Sequence, residues 1–219
     1  VMVAYNIPNR DCGSHSAGGA KNGAAYKRWI RDFAAGLSGK KSVIVLEPDA
    51  LAGDCGGAER TELLSDAVQV LKSAGAAVYI DAGHANWVAA NVMGERLKAA
   101  GIALADGFAL NVSNYYRNAD NIGYGESVSR VVGGKHFIID TSRNGNGSAN
   151  GEWCNPRGRA LGSAPTVATG HRLVDAFLWI KRPGESDGAC AGGPSAGQWW
   201  GDYALELAKR QPAALAANN

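Results

Sequence analysis

Short apolar runs alternate with amphipathic stretches along the chain. Val1 to Tyr5, Ser42 to Leu46, Ala77 to Ile80, Gly107 to Leu110, His136 to Ile139 and Asp175 to Ile180 are brief, mostly apolar and often β-branched. Their hydrophobicity is continuous rather than alternating, as in parallel strands buried on both faces. Between the first two, Tyr26, Trp29, Ile30, Phe33 and Leu37 recur at helical spacing, with Gly36 or Gly39 to end the helix. Leu63, Leu64, Ala67, Val68 and Leu71 mark a second helix stopped by Gly75. Val88, Val92, Arg96, Leu97 and Ala100 mark a third stopped by Gly101. A last helix is expected from about Gln198 to Arg210, opened by Trp199 and Trp200 packing into the core, with Pro212 and an Ala-rich tail from Ala213 behind it. This rhythm predicts an α/β fold whose parallel sheet is joined by right-handed crossovers, either open or closed into a barrel.

Two passages break the rhythm. Thr141 to Thr169 is rich in Gly, Asn and Arg, and Arg182 to Gly197 is rich in Gly and Pro. Long loops in a compact domain usually carry function. No internal repeat or linker divides the 219 residues, which fit one domain.

Charge narrows the partners. With 22 basic against 20 acidic residues and a net charge of +2, the chain lacks the basic balance of a phosphate-held nucleic-acid binder. No apolar run approaches the roughly 18 residues that span a bilayer, so no membrane partner is expected. No basic start followed by an apolar core marks a signal peptide. Cys12, Cys55, Cys154 and Cys190 are even in number and lack metal-ligand spacing, which favours two disulfides and a secreted, extracellular protein. Of the three connectivities, Cys12–Cys55 and Cys154–Cys190 close the shortest loops and are expected.

Chemistry-bearing residues follow every strand: Tyr5, Arg10 and Asp11; Glu47 and Asp49; Asp81, His84 and Trp87; Asn111, Ser113 and Asn114; Asp140, Ser142 and Arg143; Lys181, Glu185 and Asp187. In a parallel α/β fold the strand C-termini open onto one face, where ligands bind. A single Asp after a strand is usually a cap or turn residue, but six strands converging on one rim describe a cleft. His15, His84, His136 and His171 are scattered and supply no zinc-type pair, so neither a metal nor another cofactor is expected. Carboxylates with Trp87 and Trp153 in rim loops suit glycoside hydrolysis, which needs two carboxyl groups in different protonation states. A rival, Gly193-Pro-Ser195-Ala-Gly197, fits the serine-hydrolase G-x-S-x-G pattern but has no strand before it.

The motifs resemble glycoside hydrolase family six. Val3-Ala-Tyr5-Asn-Ile-Pro8-Asn-Arg10-Asp11-Cys12-Gly13 and Ile44-Val-Leu-Glu47-Pro48-Asp49-Ala50-Leu51 look like its two signatures, and Asp81-Ala-Gly83-His84 with Lys181-x-Pro183-Gly184-Glu185-x-Asp187-Gly188 extends the match. The resemblance implies a distorted, partly open parallel β/α barrel, seven-stranded in the family. A strand–helix unit precedes the Tyr5 strand there, so residues 1–219 read as an N-terminally incomplete catalytic domain. It implies inverting β-1,4-glucanase activity on cellulose chains, by a monomer. Asp49 matches the general acid, Asp11 and Asp81 the carboxylates that raise its pKa, and Asp187 the candidate base, a role Asp11 takes instead if the proton moves through waters. Tyr5 matches the residue crowding the sugar at the cleavage point. Lys181, Glu185, Trp87, Trp153, His84 and Asn114 match sugar-binding positions. Glu47 is expected to be structural, Asp140 to Arg143 a structural salt-bridge cluster, and Tyr115 and Tyr116 either line the cleft or cover the barrel end. No long inserted loop resembles the tunnel roof of the family's chain-end cutters, which leaves an endoglucanase as the expectation, with a cellobiohydrolase or an inactive carbohydrate-binding fragment as alternatives.

Overall fold

A computed structural model of the protein describes residues 1–53 and 55–211; the expected Pro212 stop and Ala-rich tail lie outside the described residues. Strands β1 (Met2–Ala4), β2 (Val43–Leu46), β3 (Ala77–Asp81), β4 (Gly107–Leu110), β5 (His136–Asp140) and β6 (Val174–Leu178) pair in chain order, every neighbour parallel. Strand order that never reverses moves the sheet steadily in one direction and curls it, giving a partly open α/β barrel. Helices α1 (Gly23–Gly36), α2 (Gly57–Ser73), α3 (Ala90–Ala99) and α4 (Asn118–Val131) connect β1 to β5, and α5 (Gly201–Lys209) follows β6.

Strand alternation divides the core. Ile44, Leu46, Val78, Ile80, Phe108, Leu110, Phe137 and Ile139 face the helices in one large cluster. Val45, Tyr79, Ala109, Ile138 and Ala176 fill the concave side in a smaller one. Both faces are buried, so the strands read as unbroken apolar runs. Because side chains alternate along a strand, Asp81 and Asp140 share the concave face with Tyr79 and Ile138, two residues behind each. Both carboxylates therefore point into the barrel at its C-terminal end, and neither is more than 1% exposed.

Helix α4 was not predicted by the hydrophobic pattern. Its stretch Asn-Ala-Asp-Asn-Ile-Gly-Tyr-Gly-Glu-Ser-Val-Ser-Arg-Val carries two glycines and little apolar stripe. Close approach replaces bulk here: a Cβ at Gly125 would collide with the Phe137 ring, and one at Gly94 of α3 with the Val131 side chain of α4. Tertiary packing thus overrides weak local propensity. The last helix also begins later than its sequence suggests. Trp200 N donates to Gly184 O at 2.8 Å and Ser186 N to Gln198 O at 2.9 Å, which holds residues 198–200 extended beside Glu185. Trp199 consequently lies 66% exposed over Gly184 instead of in the core.

The two disulfides are Cys12–Cys55 and Cys154–Cys190, the shortest-loop pairing. Each pins a rim loop: the first ties the loop after β1 to the start of α2, the second ties the two long loops together.

Candidate active site

The β1 and β2 loops are built as one unit. Glu47, 1% exposed, accepts N–H bonds from Asn6 and Ile7, each at 3.0 Å, which fixes the chain leaving β1. This is the structural role its position suggested. Burial pushes the Glu47 carboxyl up to about 7, partly offset by those N–H bonds. Arg10 threads the Asp11 loop from inside: Nη1 donates to Tyr5 O at 2.9 Å and Nε to Ser16 O at 2.8 Å, while the guanidinium lies 4.8 Å from the Tyr5 ring centre. Asp11 Oδ2 accepts from Ser16 N at 2.7 Å. Asn9, Asp11 and Cys12 have φ of 54°, 54° and 48°, and Glu47 and Asp49 have 49° and 68°. Such left-handed backbone costs roughly 1–2 kcal/mol per residue and persists only where the surroundings over-determine it.

Tyr5, Asp11, Asp49 and Asp81 form one electrostatic group. Asp81 Oδ1 accepts from Asp49 N and Gly83 N, both at 3.0 Å. Its other oxygen is buried without a hydrogen-bond partner among the described residues. Burial, then the charge of Asp49, raises the Asp81 carboxyl well above the ordinary range, against the pull of the two N–H bonds. Burial and then the charge of Asp11 push Asp49 up to about 7. Burial followed by Asp49 and Asp11 raises the Tyr5 hydroxyl, so it stays neutral. The unit can hold one proton near neutrality on a carboxyl at the rim, which is what a general acid requires.

A second group centres on Asp187. Arg143, fully buried, grips it with Nη1 to Oδ2 at 2.9 Å and Nη2 to Oδ1 at 3.0 Å. Oδ2 also accepts from Tyr115 Oη and Asn155 N, each at 3.1 Å, and Lys181 Nζ lies 3.6 Å from Oδ1. Three donors thus converge on Oδ2, while Oδ1 takes one hydrogen bond from Arg143 and the nearby charge of Lys181. The expected salt-bridge role of Arg143 is seen, but its partner Asp187 lies 44 residues away, which the sequence did not reveal, and Tyr115 covers the barrel end while bonding Asp187 and Tyr203. Asp140 behaves as a buried hub, accepting N–H bonds from Ser113, Ser142 and Lys181 at 2.9–3.0 Å.

Aromatic rings edge the cleft. His84 stacks on Tyr116 at 4.6 Å and meets Trp87 at 5.2 Å; Trp153 packs edge-on against His15 at 5.5 Å. Trp87 and Trp153 are each 44% exposed, so both keep an open surface. Burial lowers the His84 pKa. Asn114 Oδ1 caps its own turn through Tyr115 N at 2.8 Å, and Glu185 pairs with Arg182 at 2.7 Å. Ser195 sits in a bend pinned by Ser186 Oγ donating to Pro194 O, with no strand leading into it, so the G-x-S-x-G match forms no nucleophile elbow. Among the described residues no group of three His, Cys, Asp or Glu side chains could hold a metal ion.

The site thus combines a partly open parallel barrel, a carboxyl group raised by burial and by a neighbouring carboxylate at its C-terminal rim, and two half-exposed indoles in rim loops. The glycosyl hydrolases family 6 profile matches residues 1–211, and the chain belongs to that family. It is 54% identical over 212 residues to Endoglucanase A of Cellulomonas fimi, covering 95% of this chain but only 46% of that protein; the chain spans about half the length of that relative. The endoglucanase Cel6 of Mycobacterium tuberculosis, solved with methyl-cellobiosyl-4-deoxy-4-thio-β-D-cellobioside, superimposes with a TM-score of 0.92 at 48% identity, covering 96% of this chain and 76% of that one. The probable 1,4-beta-D-glucan cellobiohydrolase C of Aspergillus terreus is 33% identical, and its match stretches over 274 residues for the same 95% of this chain, with 58% of its own length covered.

Proposed function

We propose that the chain is the catalytic part of an endoglucanase that hydrolyses internal β-1,4-glucosidic bonds of cellulose and related β-glucans with inversion. What supports this is membership of glycosyl hydrolases family 6 and 54% identity to an endoglucanase, together with burial and the Asp11 charge raising the Asp49 carboxyl. Protonated Asp49 gives its proton to the glycosidic oxygen as the C1–O bond breaks. The sugar passes through an oxocarbenium-like state that a distorted ring approaches, with the Tyr5 ring crowding the cleavage point. Water adds from the opposite face and releases its proton to Asp11 through intervening water. Asp187 is buried in a two-pronged ion pair with Arg143 and accepts further bonds from Tyr115 and Asn155, which favours Asp11 over Asp187 as the acceptor and gives Asp187 the work of holding Arg143, with Lys181 nearby, beneath the cleft. His84, Trp87, Trp153, Lys181, Glu185 and Asn114 bind the glucan chain, with the two indoles stacking on sugar faces.

Internal cutting is supported by loop length. The Cellulomonas match is almost gap-free, whereas the Aspergillus match needs a far longer alignment for the same share of this chain. An open cleft admits the middle of a polymer. The two disulfides fit a secreted, extracellular setting, and we take the working unit to be a monomer. The test is carboxymethylcellulose viscometry beside reducing-sugar release. An early collapse of viscosity with little soluble sugar supports internal cutting; sugar release at near-constant viscosity would favour the chain-end alternative.

A further inference from the structure

Arg60 is a charged residue that this mechanism does not use, yet it is only 5% exposed. It stands in the first turn of α2, and its guanidinium reaches across both carboxylate loops. Nη2 donates to Pro8 O at 3.0 Å and Asn9 O at 3.1 Å, three and two residues before Asp11. Nη1 donates to Ala50 O at 3.3 Å, one residue after Asp49. The side chain lies flat over Gly56, where an added Cβ would collide with its Nε and Cδ. A planar fork with several donors can bridge two separate strands of backbone; an ammonium on a flexible stem is a single point and cannot.

Both bridged loops hold left-handed residues, Asn9, Asp11 and Cys12 on one side and Glu47 and Asp49 on the other. They need external restraint to stay so. Glu47 restrains Asn6 and Ile7, and the Cys12–Cys55 disulfide restrains the tip. Of these three, Arg60 is the one whose side chain bonds carbonyls in both the Asp11 loop and the Asp49 loop.

We infer that Arg60 is a positioning residue that sets the spacing between the Asp11 and Asp49 carboxyl groups by clamping their two loops together. The inference rests on the proposed acid–base reading for its kinetic consequence, but its structural core does not. The groups that face Asp49 are Asp11 and Tyr5 from the β1 loop and Asp81 from β3, and Asp140 in turn faces Asp81; Arg60 itself feels Glu47 and Tyr5. Since Asp11 is the charge that lifts Asp49 beyond the effect of burial, releasing the clamp moves Asp49 back toward the ordinary carboxylate range.

Arg60→Lys keeps the charge and removes the bridge. The expected result is a kcat on cello-oligosaccharides reduced roughly tenfold to hundredfold, as a misplaced catalytic group implies, with KM little changed. The alkaline limb of the rate profile and the Asp49 midpoint followed by carbon-13 NMR should both move to lower pH. Gly56→Ala displaces the same side chain without altering it and should reproduce the shift, which covers the case in which Arg60→Lys does not fold. An unchanged Asp49 midpoint in a folded variant overturns the inference, whatever happens to Tm. Because the NMR titration needs no turnover, a wild-type protein that fails to cleave glucans would refute the proposed function while leaving the clamp decidable.

Discussion

Asp49 and Asp81 are joined by a hydrogen bond from the Asp49 backbone N–H to Asp81 Oδ1 at 3.0 Å. A fully buried carboxyl thus anchors the backbone of a partly exposed one on the neighbouring loop. Burial raises both, and Asp11 adds to the effect at Asp49. The loop that presents the proton is held by a group that shares its electrostatic environment.

Asp11 is tested by Asp11→Asn. Loss of its charge lowers the folded-state Asp49 pKa, so the alkaline limb of kcat/KM should retreat toward acid by roughly one pH unit, and loss of the proton acceptor should cut kcat about a hundredfold. A pH–rate profile of the residual activity checks both. An alkaline limb that stays in place would show that Asp11 does not set the acid.

A raised carboxyl pKa has a stability cost whose sign is fixed by linkage. Below the unfolded pKa near 4 both states hold the proton and native stability is complete. As pH rises through the folded value of about 7, the unfolded state has released its proton while the native state keeps it, and stability is lost. Asp49→Asn removes this term. Relative to wild type its Tm should be similar at pH 4.5 and on the order of 10 °C higher at pH 8, given about 1.4 kcal/mol for each pH unit by which the pKa is raised and roughly 2–4 °C per kcal/mol for a chain of this size. Calorimetry at the two pH values decides; a constant difference would contradict the raised pKa.

The Cys12–Cys55 and Cys154–Cys190 bonds close loops of 43 and 36 residues. Each should stabilise by about 2–4 kcal/mol through the unfolded chain. Removing one pair by Ser substitution should lower Tm by roughly 5–15 °C. The Cys12/Cys55 variant should also lose activity more than its melting accounts for at 20 °C, because that bond holds the Asp11 loop. Equal residual activity in both variants would sink that distinction.

Arg143→Met strands the Asp187 carboxylate in a buried site. Breaking a buried pair costs about 3–5 kcal/mol, so thermal melting should drop by more than about 6 °C. Adding Asp187→Leu to Arg143→Met should recover much of that loss while activity stays low. If the double variant melts no higher than the single one, the unpaired charge is not the cause.

The six strands were legible because burial on both faces leaves continuous apolar runs. The rim was legible because parallel topology sends every strand end to one side, so residues next to strand ends could be collected without coordinates. What escaped has a common physical reason. Helix α4 rests on glycines that fit Phe137 and Val131, and such complementarity leaves no hydrophobic stripe. Arg143 and Arg60 act on partners 44 and 52 residues away, distances over which side-chain spacing carries no signal. Trp199 was drawn outward by an extended bridge to Glu185 that helical periodicity does not reveal.

The most direct test of the central claim is proton NMR of freshly cleaved cello-oligosaccharide, recorded before mutarotation equalises the anomers. Single displacement by water, with Asp49 as acid and no covalent intermediate, predicts that the new reducing end appears first as the α anomer. A β anomer appearing first would require a carboxylate nucleophile and would contradict the account.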